Sequence, residues 1–114
     1  MNKLVPVERR HLARLGHGMR PVVHVGREGV TPEVVDSTSK AIEARELIKV
    51  KLNPGFEGDR HEAAESLAGR THSQVVMVVG KTFLLFKPLR EKSRIVFPPQ
   101  IAAKAQRKRD KQEG

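Results

Sequence analysis

Residues 21–52 read "PVVHVGREGVTPEVVDSTSKAIEARELIKVKL", and the changes of pattern inside this run decide the fold. "PVVHV" (21–25) is a short β-branched run, which favours a strand. Gly26 and Gly29 then bracket Arg27 and Glu28. Thr31-Pro32 supplies an N-cap residue followed by proline at the first helical position, where a missing N–H costs nothing. A helix is expected from there to about Arg45, with Val34, Val35, Thr38, Ala41 and Ile42 facing inward. "ELIKVKL" (46–52) alternates, placing Ile48, Val50 and Leu52 on one face and Lys49 and Lys51 on the other. That pattern predicts a half-buried strand with a basic outer face. A strand–helix–strand unit should cross over right-handedly and set its two strands parallel.

Upstream, "PVERRHLARLGHGM" (6–19) suits a helix that begins at Pro6. Leu12, Leu15 and Met19 share one stripe, and Arg10, Arg14 and His17 fall on the opposite face. Gly18 and Pro21 supply the stop. Downstream, "NPGFEGD" (53–59) is a loop, and Asp59 with Glu62 forms a capping box for a third helix carrying Ala63, Ala64, Leu67 and Ala68. Gly69 is the expected residue just past its end. "VVMVV" (75–79), a turn at Gly80-Lys81 and "TFLLF" (82–86) predict a hairpin, apolar at nearly every position and therefore expected deep in the sheet.

The expected order is α-β-α-β-α-β-β. It describes one α/β domain over residues 4–88, a four-stranded mixed sheet packed with three helices. Residues 89–114 form a basic C-terminal extension, the last part expected as a frayed helix or disordered tail. No internal repeat is visible.

A chain of 114 residues has room for one modest core. With four Phe and no Trp or Tyr, that core must rest on Val, Leu, Ile and Ala. The absence of cysteine excludes disulfides and thiolate metal sites. No apolar run approaches the roughly 18 residues that a bilayer span needs. "MNKLVPVERRHL" lacks the apolar core of a signal peptide, so a soluble, cytoplasmic protein is expected. Charge is the strongest global signal: 22 Lys plus Arg against 13 Asp plus Glu, net +9. Residues 1–27 carry Lys3, Arg9, Arg10, Arg14, Arg20 and Arg27 against Glu8 alone. Residues 87–114 hold nine basic and three acidic residues. Such a distribution points to a polyanionic partner, because Lys and Arg release condensed counterions from phosphates.

Most enzymatic readings fail on spacing. "VVGKT" (78–82) is similar to the end of a phosphate-binding Walker loop, but position 75 is Val where that motif needs Gly, and a strand rather than a helix follows. Gly26-x-x-Gly29 is no dinucleotide fingerprint, since residue 24 is His. The five histidines (11, 17, 24, 61, 72) show no helical ligand spacing, so no metal site is expected. No G-x-S-x-G is present.

The glycine loop needs little beyond backbone to act. Glycines can take positive φ and let a ligand approach without meeting a Cβ, and the loop leads to a helix N-terminus, which favours an anion. Arg27 adds a direct phosphate contact, whereas Glu28 opposes one. G-x-x-G loops clamp nucleic-acid backbones in KH domains, there between two helices. From these residues alone two readings stay open, a phosphate-facing loop and a turn that uses glycine for its conformation.

Taken together, "RRHLARLGHGMRPVVHVGREGVTPEVVDSTSKAIEARELIKVKL" followed by "VVMVVGKTFLLFK" resembles the CRM domain, in particular the small bacterial YhbY-like proteins, over residues 4 to about 87. The resemblance rests on ordered blocks: Leu12 with Leu15 and His17, then "PVVHVGREGVT", "ELIKVKL" and "VGKTFLLFK". It implies an RNA-binding α/β fold similar to the C-terminal domain of bacterial initiation factor three, with the G-x-x-G loop near the RNA. Stand-alone bacterial members associate with precursors of the large ribosomal subunit, and plant relatives carry the domain in intron-splicing factors. By position, Gly26, Arg27 and Gly29 form the loop, and Arg10, Arg14 and Arg20 belong to the basic surface beside it. Glu28 departs from the pattern, as does Phe86-Lys87 where Tyr-Arg is usual. The residues after Lys87 fall outside the resemblance.

The expectation is therefore a non-catalytic, monomeric RNA-binding protein that recognises structured ribosomal RNA and assists large-subunit assembly, without metal or cofactor. Its expected contact residues are Gly26, Arg27, Glu28, Gly29 and Thr31 in the loop, with Arg10, Arg14, His17 and Arg20 beside it. Two rivals remain: an adaptor docking on a ribosomal protein, and an enzyme acting on RNA.

Overall fold

Alternating and β-branched segments build the sheet, and the segments between them cover its two faces. In the computed structural model, which describes residues 3–89, 93 and 95–113, the order is α1 (Pro6–Gly16), β1 (Val23–Val25), α2 (Pro32–Arg45), β2 (Leu47–Leu52), α3 (Arg60–Thr71), β3 (Gln74–Val79), β4 (Thr82–Phe86) and α4 (Pro99–Glu113). Arg90, Lys92 and Arg94 of the basic extension lie outside the described residues. The sheet runs β1-β2-β4-β3. β1 and β2 are parallel, with Val23 opposite Val50 and Val25 opposite Leu52. β4 lies antiparallel between β2 and β3. This is the mixed α/β architecture that the sequence predicts.

One face of the sheet packs Val23, Val25, Ile48, Val50, Leu52, Phe83 and Leu85 against Ile42 of α2 and Ala63, Ala64 and Leu67 of α3. The other face packs Leu47, Leu84, Phe86 and Val76 against Leu4 and Leu12. β3 serves both layers because its register shifts between Val75 and Met77, a bulge that turns Val76 and Met77 to the same side.

The expected inward stripe of α1 is corrected. Leu12 is fully buried but Leu15 is 45% exposed, and the buried line is Glu8–Leu12–Gly16. Glycine at 16 lets the helix settle onto Leu84: a Cβ there would lie 2.5 Å from a Leu84 methyl. Glu8 tolerates burial because its carboxylate accepts from the Val5 amide at 3.0 Å and pairs with Arg109.

Two boundaries and the depth of the hairpin also differ from expectation. Glu46 is not a strand residue but the C-cap of α2, held at φ +66 and 1% exposed. α3 does not stop at Gly69; it continues to Thr71, and His72 takes the left-handed cap at φ 55. In that last turn the Thr71 hydroxyl donates to the Leu67 carbonyl at 2.7 Å. Of the hairpin, only β4 is central, whereas β3 is a sheet edge that α3 and α1 shield on either side. The turn itself uses Gly80 at φ +57, the first central position, where two-residue hairpin loops need positive φ.

The C-terminal extension is a docked element rather than a loose tail. Phe97 packs against His11 and Phe86, with ring centroids 5.6 and 6.3 Å away. α4 then lies along α1 with Ala105 buried. The Arg109 guanidinium donates to the Lys3 carbonyl at 3.1 Å and to the Glu8 carboxylate. The path into α4 is fixed by Glu46, whose carboxylate accepts from the Leu89 amide (3.1 Å), the Ser93 hydroxyl (2.6 Å) and the Ile95 amide (3.3 Å).

Candidate nucleic-acid interface

The glycine loop leaves β1 at the carboxyl ends of the two parallel strands, the usual place for ligand-binding loops in α/β sheets. It closes as a turn, with the Gly29 amide donating to the Gly26 carbonyl at 3.1 Å. Of the two glycines, only Gly29 uses the left-handed region, at φ +75. Gly26 has an ordinary φ, and open space surrounds it. Thr31 then caps α2: its hydroxyl oxygen accepts from the Val34 amide at 3.2 Å. A second loop braces the first. The Asn53 amide donates to the Val25 carbonyl at 2.8 Å, and Gly55 packs beside Arg27. Arg27 and Glu28 are exposed at the tip.

Next to the loop, α1 covers only part of its sheet face. His24 of β1, Lys51 of β2 and Thr82 of β4 are register neighbours and so stand in one row on the same face, with Lys51 and His24 exposed. One row further in, Lys49 stands opposite Leu84 and reaches the end of α1, where its ammonium donates to the His17 carbonyl at 3.3 Å. That contact places a cation at a helix C-terminus, the favourable end of the helix dipole. None of the four strands contains an acidic residue. The imidazole Nδ1 of His24 lies 3.2 Å from the Asn53 side-chain oxygen, joining this row to the bracing loop.

The structure gathers the expected residues into two groups and one outlier. Gly26, Arg27, Glu28, Gly29 and Thr31 form the loop. Arg14 and His17 sit exposed at the end of α1, beside Lys49. Arg10 is one turn back along the same face, about 6 Å further from that end. Arg20 is exposed on the link into β1, outside both groups. The α2 N-terminus is a poorer anion site than the spacing suggests, because Glu33 already occupies its first turn and Glu28 precedes it. Positive charge comes instead from Lys49 and Lys51, with the His24 imidazole beside them; none of the three is among the contact residues expected from the sequence. The alternation of β2 carried the signal, but only the pairing of β1 with β2 shows that this basic face lies uncovered next to α1. Asp59 caps α3, and the hydrogen bond from the Glu62 amide holds its carboxyl below its ordinary value. Among the described residues no cluster of metal-ligating side chains converges.

Fold and face together define a small α/β module that presents a glycine loop beside a basic sheet face. The chain belongs to the CRS1 / YhbY (CRM) domain family, whose profile matches residues 4–87. It is 35% identical over 91 residues to the Bacillus subtilis protein YqeI, which is named a probable RNA-binding protein. That match covers 80% of this chain and 95% of YqeI. A Pseudomonas aeruginosa protein, also named a probable RNA-binding protein, is 30% identical over 84 residues, covering 74% of this chain and 81% of its own. Among solved structures, a Staphylococcus aureus protein determined in solution and described as an RNA-binding candidate superposes with a TM-score of 0.73. It is 29% identical, and the match covers 84% of this chain and all of that one.

Proposed function

We propose that this is a non-catalytic RNA-binding protein of the cytoplasm, acting as a monomer on the backbone of structured RNA. The observation that carries the reading is the face that brings Arg14 of α1 together with Lys49 and Lys51 of the sheet, flanked by His17 and His24 and without an acidic residue in any strand, next to a glycine loop tipped by Arg27. The names borne by the relatives support it. Phosphates would lie along the α1 and β2 cations, and the side-chain-free edge at Gly26 and Gly29 would let the RNA backbone come close. Contacts of this kind position RNA without specifying sequence. With few aromatics to stack on, recognition should follow RNA shape. The finer assignment, to ribosomal RNA and large-subunit assembly, rests on the resemblance to YhbY-like proteins.

Binding of a structured ribosomal RNA fragment, measured against salt, tests the reading. If roughly five phosphates are engaged, log affinity should fall with log salt with a slope of about −4. Replacing Arg10, Arg14 and Arg27 by Glu should remove most of the affinity. Glu28→Lys should tighten it and steepen the slope by about 0.7–0.9. A flat salt dependence would refute the electrostatic model. Ribosomal-particle capture that survives RNase would favour the protein adaptor instead.

A further inference from the structure

Between the end of α1 and the sheet lies a cavity of about 330 Å³ that the basic face alone does not explain. Its walls are apolar: Ala13 on the helix side, Met77, Val79 and Leu84 on the sheet side. Its mouth carries Arg14, His17 and Lys49, and no carboxylate lines it. It exists because α1 ends at Gly16, one row short of the loop end of the sheet, and because Ala13 is too small to fill the gap. Val79 is left 54% exposed on its wall.

We propose that this cavity holds the base of a single unpaired nucleotide in the RNA engaged by the surrounding face, a subsite that rests on the RNA-binding reading and deepens it. The volume is at the small end of ligand pockets, enough for about one nucleoside and too little for a stacked pair. A flat, largely apolar ring suits aliphatic and thioether walls, and the phosphates flanking it meet the cations at the mouth. Unpaired bases are the part of a structured RNA that can be splayed into such a site. An apolar peptide side chain would fit the walls, but the Arg14 and Lys49 charges and the continuity with the basic face favour a polyanion. The module then reads two things: a backbone along α1 and β2, and one flipped-out base beside it.

The experiment compares an RNA duplex with the same duplex carrying one bulged nucleotide, by fluorescence anisotropy. The wild-type protein should bind the bulged RNA about tenfold more tightly, equivalent to about 1.4 kcal/mol. Ala13→Leu, which fills the cavity without altering charge, should reduce that preference to less than twofold and leave duplex affinity unchanged. Should Ala13→Leu fail to fold, Val79→Ser, at an exposed edge-strand position, removes part of the apolar wall and should shrink the preference in the same sense. Arg27→Glu should weaken both RNAs in proportion. Equal wild-type affinity for the two RNAs overturns the subsite and leaves the RNA-binding reading intact, with the cavity open to a protein side chain. A preference that survives Ala13→Leu and Val79→Ser also overturns it. Failure to bind either RNA overturns both readings.

Discussion

Replacing Arg109 by Met tests whether the basic C-terminal helix is a docked part of the domain. The Arg109 side chain is 19% exposed and its partner Glu8 7%. Removing one member of a buried ion pair costs about 3–5 kcal/mol, because the other charge stays desolvated. Partial exposure of Arg109 lets water relieve some of that, and Glu8 keeps its hydrogen bond from the Val5 amide. A loss of about 2–3 kcal/mol is therefore expected, with most of the packing of the stem retained by Met. For a domain of this size that corresponds to a fall in Tm of roughly 8–15 °C. Thermal unfolding followed by circular dichroism reads it directly. Lys108→Met, an exposed change on the same helix, should lie within about 0.5 kcal/mol of wild type. Adding Glu8→Gln to Arg109→Met should recover much of the loss, since the stranded charge is gone and the amide oxygen can still accept from Val5. If Arg109→Met unfolds no earlier than Lys108→Met, α4 does not hold the position described and the Arg109–Glu8 pair does not secure it.

Three other outcomes follow from backbone and charge. Gly29→Ala should destabilise by about 1–2 kcal/mol because of its left-handed φ, whereas Gly26→Ala should leave stability nearly unchanged and weaken RNA binding if the backbone is closely approached there; urea unfolding and anisotropy separate the two effects. Glu46→Ala should cost more stability than Glu46→Gly by roughly 1 kcal/mol, since both lose the carboxylate but only glycine is relaxed at φ +66; equal losses in denaturant would show that the cap is unstrained. The depressed pKa of Asp59 means that its contribution is present above the unfolded-state value and is lost as pH falls through the lower folded-state value. Asp59→Asn should accordingly flatten part of the acid limb in a Tm-against-pH series below about pH 4, and an unchanged limb would contradict the capping account.

Local chemistry was legible in the sequence. Thr31-Pro32 and Asp59 mark helix starts because their side chains bond the amides three residues on, and such contacts depend on nothing outside the segment. The alternation in "ELIKVKL" placed Ile48, Val50 and Leu52 in the core for the same reason. The errors fall where a distant residue decides. Leu15 looks like a core residue, yet the helix turns Gly16 inward because Leu84 lies beneath it. Glu8 looks like a surface residue, yet Arg109, far along the chain, makes its burial tolerable. The hairpin reads as uniformly apolar, but strand order alone puts β4 inside and β3 at the edge.

The candidate site divides in the same way. Sequence by itself determined the glycine loop, its capped helix and the family, since these depend on contiguous residues whose spacing is the signal. Only the tertiary structure decided that Lys49, Lys51 and His24 share an open face with Arg14 and His17, because strand pairing brings residues 24, 51 and 82 into one row. It also decided that α4 is docked rather than loose, through Glu46 and Glu8, two carboxylates whose partners lie more than 40 residues away in the chain.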